Sequence, residues 1–246
     1  MKQAHCIYQD DAHRWLAIAR DPTKPGYIID TNEYVIVHGD EALLCDPGGI
    51  EIFPAVFSAL SAECDPTRLA GIFASHQDPD IISSLALWLE FKPDLKCYTS
   101  WLWQSFLPHF GGRDSTFVTI PDPGMTIRLG GLELQAIPAH YLHSSGNFHL
   151  YDPKAKILFS GDVGAALLPP DHSGLYVEDF SRHIRHAEGF HKRWMGSDRA
   201  KRDWCERVSR LDIDMMVPQH GAIYQGADVQ RFINWFAALE VGVLRG

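Results

Sequence analysis

The chain lacks what would tie it to a membrane, a nucleic acid or an oxidising compartment. No apolar run approaches the roughly 20 residues a membrane-spanning helix needs, and the opening stretch MKQAHCIYQDDAHRW has no apolar leader core. Basic residues are outnumbered, 22 Lys and Arg against 31 Asp and Glu, for a formal net charge of −9. That balance excludes the concentrated basic face that nucleic acid or an anionic membrane would require. The five cysteines (Cys6, Cys45, Cys64, Cys97, Cys205) are scattered, odd in number and never in a C-x-x-C pair, which fits neither a zinc knuckle nor a disulfide framework. Repeats, linkers, low-complexity segments and a phosphate-cradling glycine loop are also missing. The expectation is a cytoplasmic protein whose residues 1–246 form a single domain, with no flavodoxin domain and no FMN within the chain.

What is plentiful is histidine, 13 residues in all, and imidazole is both the commonest metal ligand and a frequent general base. Short apolar runs alternate with helical stretches. Tyr34 to Val37 and Ala42 to Cys45 flank a His38-Gly39-Asp40 turn and end in Asp46-Pro47-Gly48-Gly49. A helix follows over about Phe53 to Leu60, then a buried strand from Leu69 to Ala74, a helix from Asp80 to Phe91 and a strand from Leu95 to Thr99. Thr126 to Leu129 and Leu132 to Ile137 flank Gly130-Gly131, and Phe148 to Tyr151 and Ile157 to Ser160 flank Asp152-Pro153-Lys154. Val177 to Leu211 is mostly helical, Met215 to Val217 is a short strand, and a last helix covers about Ala227 to Leu239. Hairpins followed by helices in each half predict two packed sheets with helices outside.

Four strand ends each deliver His or Asp, where ligands collect in layered α/β proteins. The first is Ser75-His76-Gln77-Asp78-Pro79-Asp80. Asp78 ahead of Pro79 also suits a helix N-cap, which would account for Asp78 but for neither His76 nor Asp80. The second is Ile137-Pro-Ala-His140-Tyr-Leu-His143, the third Gly161-Asp162 and the fourth Gln219-His220-Gly221. His183, His186 and His191 fall within one helix and read as a solvated face. Tyr224 reads as a packed tyrosine, and Asp46 as structural in its turn.

The order H-x-[HED]-x-D, H, G-D, H-G resembles the metallo-β-lactamase superfamily, which implies a four-layer αβ/βα sandwich with a binuclear site at one edge. Asn32 to Gly48 resembles that superfamily's opening hairpin and D-x-G turn. Hydrolases of the superfamily carry H-x-H-x-D-H, whereas this chain has Asp78 at the second position and Ile81 at the last. That makes it similar to the flavodiiron branch, with H-x-E-x-D and an ILFSGD run. HYLHSSGNFHLYDPKAKILFSGDVGAALLP, FHKRWM and PQHGAIY echo the stand-alone oxygen-binding di-iron proteins. The resemblance implies one metal on His76, Asp78 and His143, a second on Asp80 and His220, and Asp162 bridging them. His140 competes with His143 and would otherwise support a ligand or water by hydrogen bond. Three imidazoles and three carboxylates suit two iron ions, with zinc or manganese as alternatives.

The function implied is binding of dioxygen or nitric oxide, as a sensor of oxygen or iron read by a signalling partner, or as a reductase fed by an external redox partner. A binuclear hydrolase of a thioester, lactone or phosphodiester is the alternative. The resemblance also allows a homodimer, for which the residues define no interface.

Overall fold

The computed structural model describes residues 2–19, 29–113, 116–170, 172 and 174–243. Its first sheet has seven strands in simple sequence order: β1 (Ala4–Asp10), β2 (His13–Ile18), β3 (Glu33–His38), β4 (Glu41–Cys45), β5 (Leu69–Phe73), β6 (Lys96–Ser100) and β7 (Phe117–Ile120). β1 to β4 form an antiparallel meander and β4 to β7 run parallel. The second sheet, in the order β13-β12-β11-β10-β9-β8, contains β8 (Met125–Leu129), β9 (Leu132–Pro138), β10 (Phe148–Asp152), β11 (Ile157–Gly161), β12 (Met215–Pro218) and β13 (Tyr224–Gln225).

Three apolar clusters define the layers. Trp15, Tyr34, Phe73, Phe148 and Phe159 meet between the sheets. Leu16, Val35, Leu44 and Ile72, on the other face of the first sheet, bury α1 (Phe53–Glu63), α2 (Pro79–Ile82) and α3 (Leu85–Phe91). Tyr151, Leu158 and Met216 do the same on the second sheet for α4 (Phe180–Trp194), α5 (Asp198–Val208) and α6 (Ala227–Ala238). The alternation of faces along each strand follows from the two-residue period of the pleat. The result is the expected four-layer αβ/βα sandwich.

Two details depart from the sequence reading. The helix expected over Asp80 to Phe91 is two helices, because the chain between them is tied back to the D-P-G-G turn. Ser84 N–H donates to the Gly48 carbonyl, Ser84 Oγ to the Pro47 carbonyl, and Ile50 N–H to Ser83 Oγ. The strands β1, β2, β7 and β13 have no counterpart in the sequence reading. β1 is an edge strand whose side chains are largely exposed, so it carries little apolar alternation.

At one end the sheets are tied by a buried polar network. His13 Nε2 and Trp15 Nε1 each lie 2.7 Å from Asp152 Oδ2, and the backbone N–H groups of Lys154 and Ala155 donate to Oδ1. His13 pairs with His38, and His38 with Glu41, where β4 begins. This is therefore the end opposite Cys45, Asp46 and the turn that follows them.

Candidate metal centre

At that opposite end the strand termini converge. β5 leads to Ser75 and His76, and the chain then enters α2. Asp78 occupies the N-cap position of α2, with Pro79 first in the helix, yet its side chain makes no capping hydrogen bond. One carboxylate oxygen accepts from Gln77, and the other, Oδ2, lies 3.3 Å from His143 Nε2 and 3.8 Å from His76 Nε2. Donor atoms of His76, Asp78 and His143 fall within 4.8 Å of one another, the one such group of three among the described residues.

Asp162, just past β11, faces two ways. Its Oδ2 is 2.9 Å from His143 Nε2 and 3.6 Å from His76 Nε2, while its Oδ1 is 3.3 Å from His220 Nε2. His220 Nε2 is in turn 3.5 Å from Asp80 Oδ2. One buried carboxylate thus separates a cluster of His76, Asp78 and His143 from a second of Asp80 and His220. Donors bonded to one ion at about 2.0–2.2 Å stand some 3.0–3.5 Å apart. Four of these six contacts fall in or just below that range. Asp162 Oδ1 is buried without a hydrogen-bond partner, a costly state that a cation would relieve. The donor set fits two metal ions.

Two of the imidazoles are held in a defined tautomer from behind. Asp46 accepts from Ser75 N–H and from Ser75 Oγ, each at 2.7 Å, and Ser75 Oγ lies 2.9 Å from His76 Nδ1. With its one proton given to Asp46, that hydroxyl can only accept from His76 Nδ1–H, which leaves Nε2 a free lone pair. His220 Nδ1, 2.7 Å from the Asp30 carbonyl, is fixed likewise. The residue after His220 has to be glycine: Gly221 has φ +90°, and a Cβ there would stand 3.0 Å from the backbone of Ala166.

The field of the carboxylates acts on the protonation of this cluster. Burial disfavours charge on His143 and His220, but Asp162 with Asp78, and Asp162 with Asp80, outweigh it and lift the two imidazoles to about 10 and about 9. Burial alone would raise the Asp162 carboxyl, yet His143 and His220 beside it hold it well below the usual range. In the metal-free protein protons stand where cations would bind.

His140 lies outside this cluster. Tyr141 takes a left-handed turn at φ +65°, and His140 Nε2 sits 3.0 Å from the Asp122 carbonyl with its ring against Phe148. His140 therefore supports the loop rather than a ligand. The helix α4 also differs from the expected solvated face. His183 and His191 are buried and only His186 is half-exposed. His191 Nε2 accepts from Gly164 N–H and its Nδ1–H donates to the Ala187 carbonyl, so it anchors the turn that carries Asp162. From the FHKRWM stretch, the rings of Phe190 and Trp194 lie 6.3 and 5.4 Å from that of His143. Tyr224 is packed, and its hydroxyl donates to the Gly164 carbonyl. The roles of Ser75 and the Asp30 carbonyl had no signal in the sequence beyond adjacency to His76 for the first.

Comparison with known proteins places this geometry. No curated protein matches the chain. Among solved structures, the apo state of the chemotaxis sensor ODP from T. denticola is 40% identical, with a TM-score of 0.89 over 98% of this chain and 96% of that one. The peroxy diiron species of the chemotaxis sensor ODP is likewise 40% identical, with a TM-score of 0.88 over the same shares. A flavo di-iron protein variant from Thermotoga maritima shares the fold at 24% identity, with a TM-score of 0.83 over 96% of this chain and 61% of that chain. The model for the ODP family of beta-lactamases matches residues 29–221, and the chain belongs to that family.

Proposed function

We propose that this protein is a non-haem di-iron protein that binds dioxygen and acts as a sensor. The observation that carries the reading is Asp162, a buried carboxylate with one oxygen toward His76 and His143 and the other toward His220. His76, Asp78 and His143 would hold one iron, Asp80 and His220 the other, and Asp162 would bridge them. Half of this set is carboxylate, which favours iron over softer ions. Ile81 is fully buried in the apolar layer and adds no imidazole of the kind the hydrolase motif supplies, so this chain would offer a second ion only Asp80, His220 and the shared Asp162. Iron held there in the ferrous state would supply reducing equivalents to a diatomic gas.

The chain's own residues do the rest. Ser75 and Asp46 orient His76, the Asp30 carbonyl orients His220, and Phe190 with Trp194 shield one side of His143 from water. Similarity to a chemotaxis sensor across nearly the whole of both chains supports sensing, read by a signalling protein, over turnover with an external electron donor. Dioxygen is the ligand this favours, with nitric oxide as a second diatomic; a homodimer remains a proposal from the resemblance. No described helix is long and apolar enough to cross a membrane.

The test is to load metal-free protein with ferrous iron under anaerobic conditions and then admit oxygen. The expected result is a visible charge-transfer band at two irons per chain, with slow oxygen consumption that a reductant does not accelerate. Retention of zinc without oxygen uptake, together with ester turnover, would overturn the reading.

A further inference from the structure

The described residues of the loop ahead of α4 and that helix's first turns line a cavity of about 270 Å³, bounded by His172, His183, His186, Glu178, Asp179 and Arg182, among others. Three imidazoles around one cavity call for a reason. His183 is 5% exposed, and its Nε2 is buried without a hydrogen-bond partner, as is the Nε2 of His172. Leaving a buried nitrogen without a partner is costly, and native proteins keep few of them. His183 and His186 stand at i and i+3 on α4, the spacing that puts two side chains on one helix face. From the loop, His172 Nε2 and Glu178 Oε1 both lie 3.4 Å from the point where a Cβ on Gly174 would stand. They converge over a Cα that carries no side chain.

We propose that this cavity is a separate binding site for a divalent cation of the zinc class, with His183 as the buried anchor and His172, His186 and Glu178 closing around it. Imidazoles and one carboxylate match an ion of borderline softness. Burial, reinforced by His172 and His186, lowers His183 to about 4, so at neutral pH it offers a lone pair and no competing proton. Glu178 and Asp179 outnumber Arg182 in charge, which favours a cation over an anion. The donors here are not drawn together as those of His76, Asp78 and His143 are. An ion would therefore pull the half-exposed His186 and the exposed Glu178 inward. The site shares no ligand with the di-metal centre. It is linked to it through Tyr224, whose ring meets His183 at 5.2 Å and whose hydroxyl donates to the Gly164 carbonyl, two residues beyond Asp162.

The experiment is calorimetric titration of metal-free protein with Zn²⁺, read as stoichiometry. The wild type should take three equivalents, His183→Gln two, and Asp162→Ala, which disables the centre, one. Because His183 is buried, the double variant E178Q/H186Q, altered only at groups reached by solvent, serves as the control for misfolding and should weaken the third equivalent at least tenfold. Saturation of the wild type at two equivalents would overturn the proposal. So would a third equivalent that persists with unchanged Kd in both His183→Gln and the double variant.

Discussion

The two ends of the sandwich hold the same side chains to opposite ends. At the closed end Asp152 accepts four hydrogen bonds, from His13, Trp15 and two backbone N–H groups, so both of its oxygens are matched. At the open end Asp162 meets three imidazoles, yet one of its oxygens has no hydrogen-bond partner, and the Nε2 atoms of His76 and His143 face each other at 3.2 Å. A histidine beside an aspartate is a structural tie when every donor and acceptor is matched. It is fitted to a metal when imidazole nitrogens and carboxylate oxygens converge and only protons or cations can reconcile them.

The largest test of this contrast is Asp162→Ala. Iron content should fall from two per chain to none, measured by metal analysis after anaerobic loading; loss of only one iron would show that Asp162 does not bridge. At the closed end, His13→Ala removes one of four hydrogen bonds to a buried carboxylate and should cost about 1.5–3 kcal/mol in urea unfolding. Metal stoichiometry should stay unchanged, and a parallel loss of metal would erase the distinction between the ends.

The ends also respond to pH with opposite sign in the metal-free protein. Asp152 is lowered: burial opposes this, but His13 and Trp15 prevail. Its stabilisation is present above the unfolded carboxylate value and is lost as pH falls through the folded one. His143 and His220 are raised, so their stabilisation is complete below about 6.5 and is lost as pH rises through about 9 and about 10. Urea midpoints of the metal-free protein should fall at alkaline pH, and bound metal, which takes the place of those protons, should remove that decline. The smallest effect belongs to Ser75→Ala, which frees the His76 tautomer. Metal affinity should drop about 10–100-fold with full occupancy recovered at high metal; unchanged affinity would reduce the Asp46–Ser75–His76 chain to packing.

Much of the open end was legible because side chains able to hold a metal are few. His76, Asp78, Asp80, His143, Asp162 and His220 stand at strand ends, and glycines beside Asp162 and His220 mark the turns. What was not legible depended on long-range contacts. The choice between His140 and His143 turns on the conformation of Tyr141 and on a carbonyl 18 residues away. The break before α3 comes from Ser83 and Ser84 reaching the D-P-G-G turn, while the apolar pattern runs on uninterrupted. The burial of His183 and His191 was hidden because α4 carries its charged residues on the same turns, and only the packing of α6 shows which face is covered.

The donors are divided evenly between the sheets: His76, Asp78 and Asp80 follow a strand of the first, while His143, Asp162 and His220 follow strands of the second. During synthesis the first three emerge long before the last, and 144 positions separate His76 from His220. Local structure alone cannot assemble the pair of sites, because the contacts that make them are among the most distant in the chain. Metal uptake at the proposed centre would thus be a late event that reports completed docking of the two halves. A chain stalled before Met215 would carry five of the six donors and lack the only imidazole of the second site.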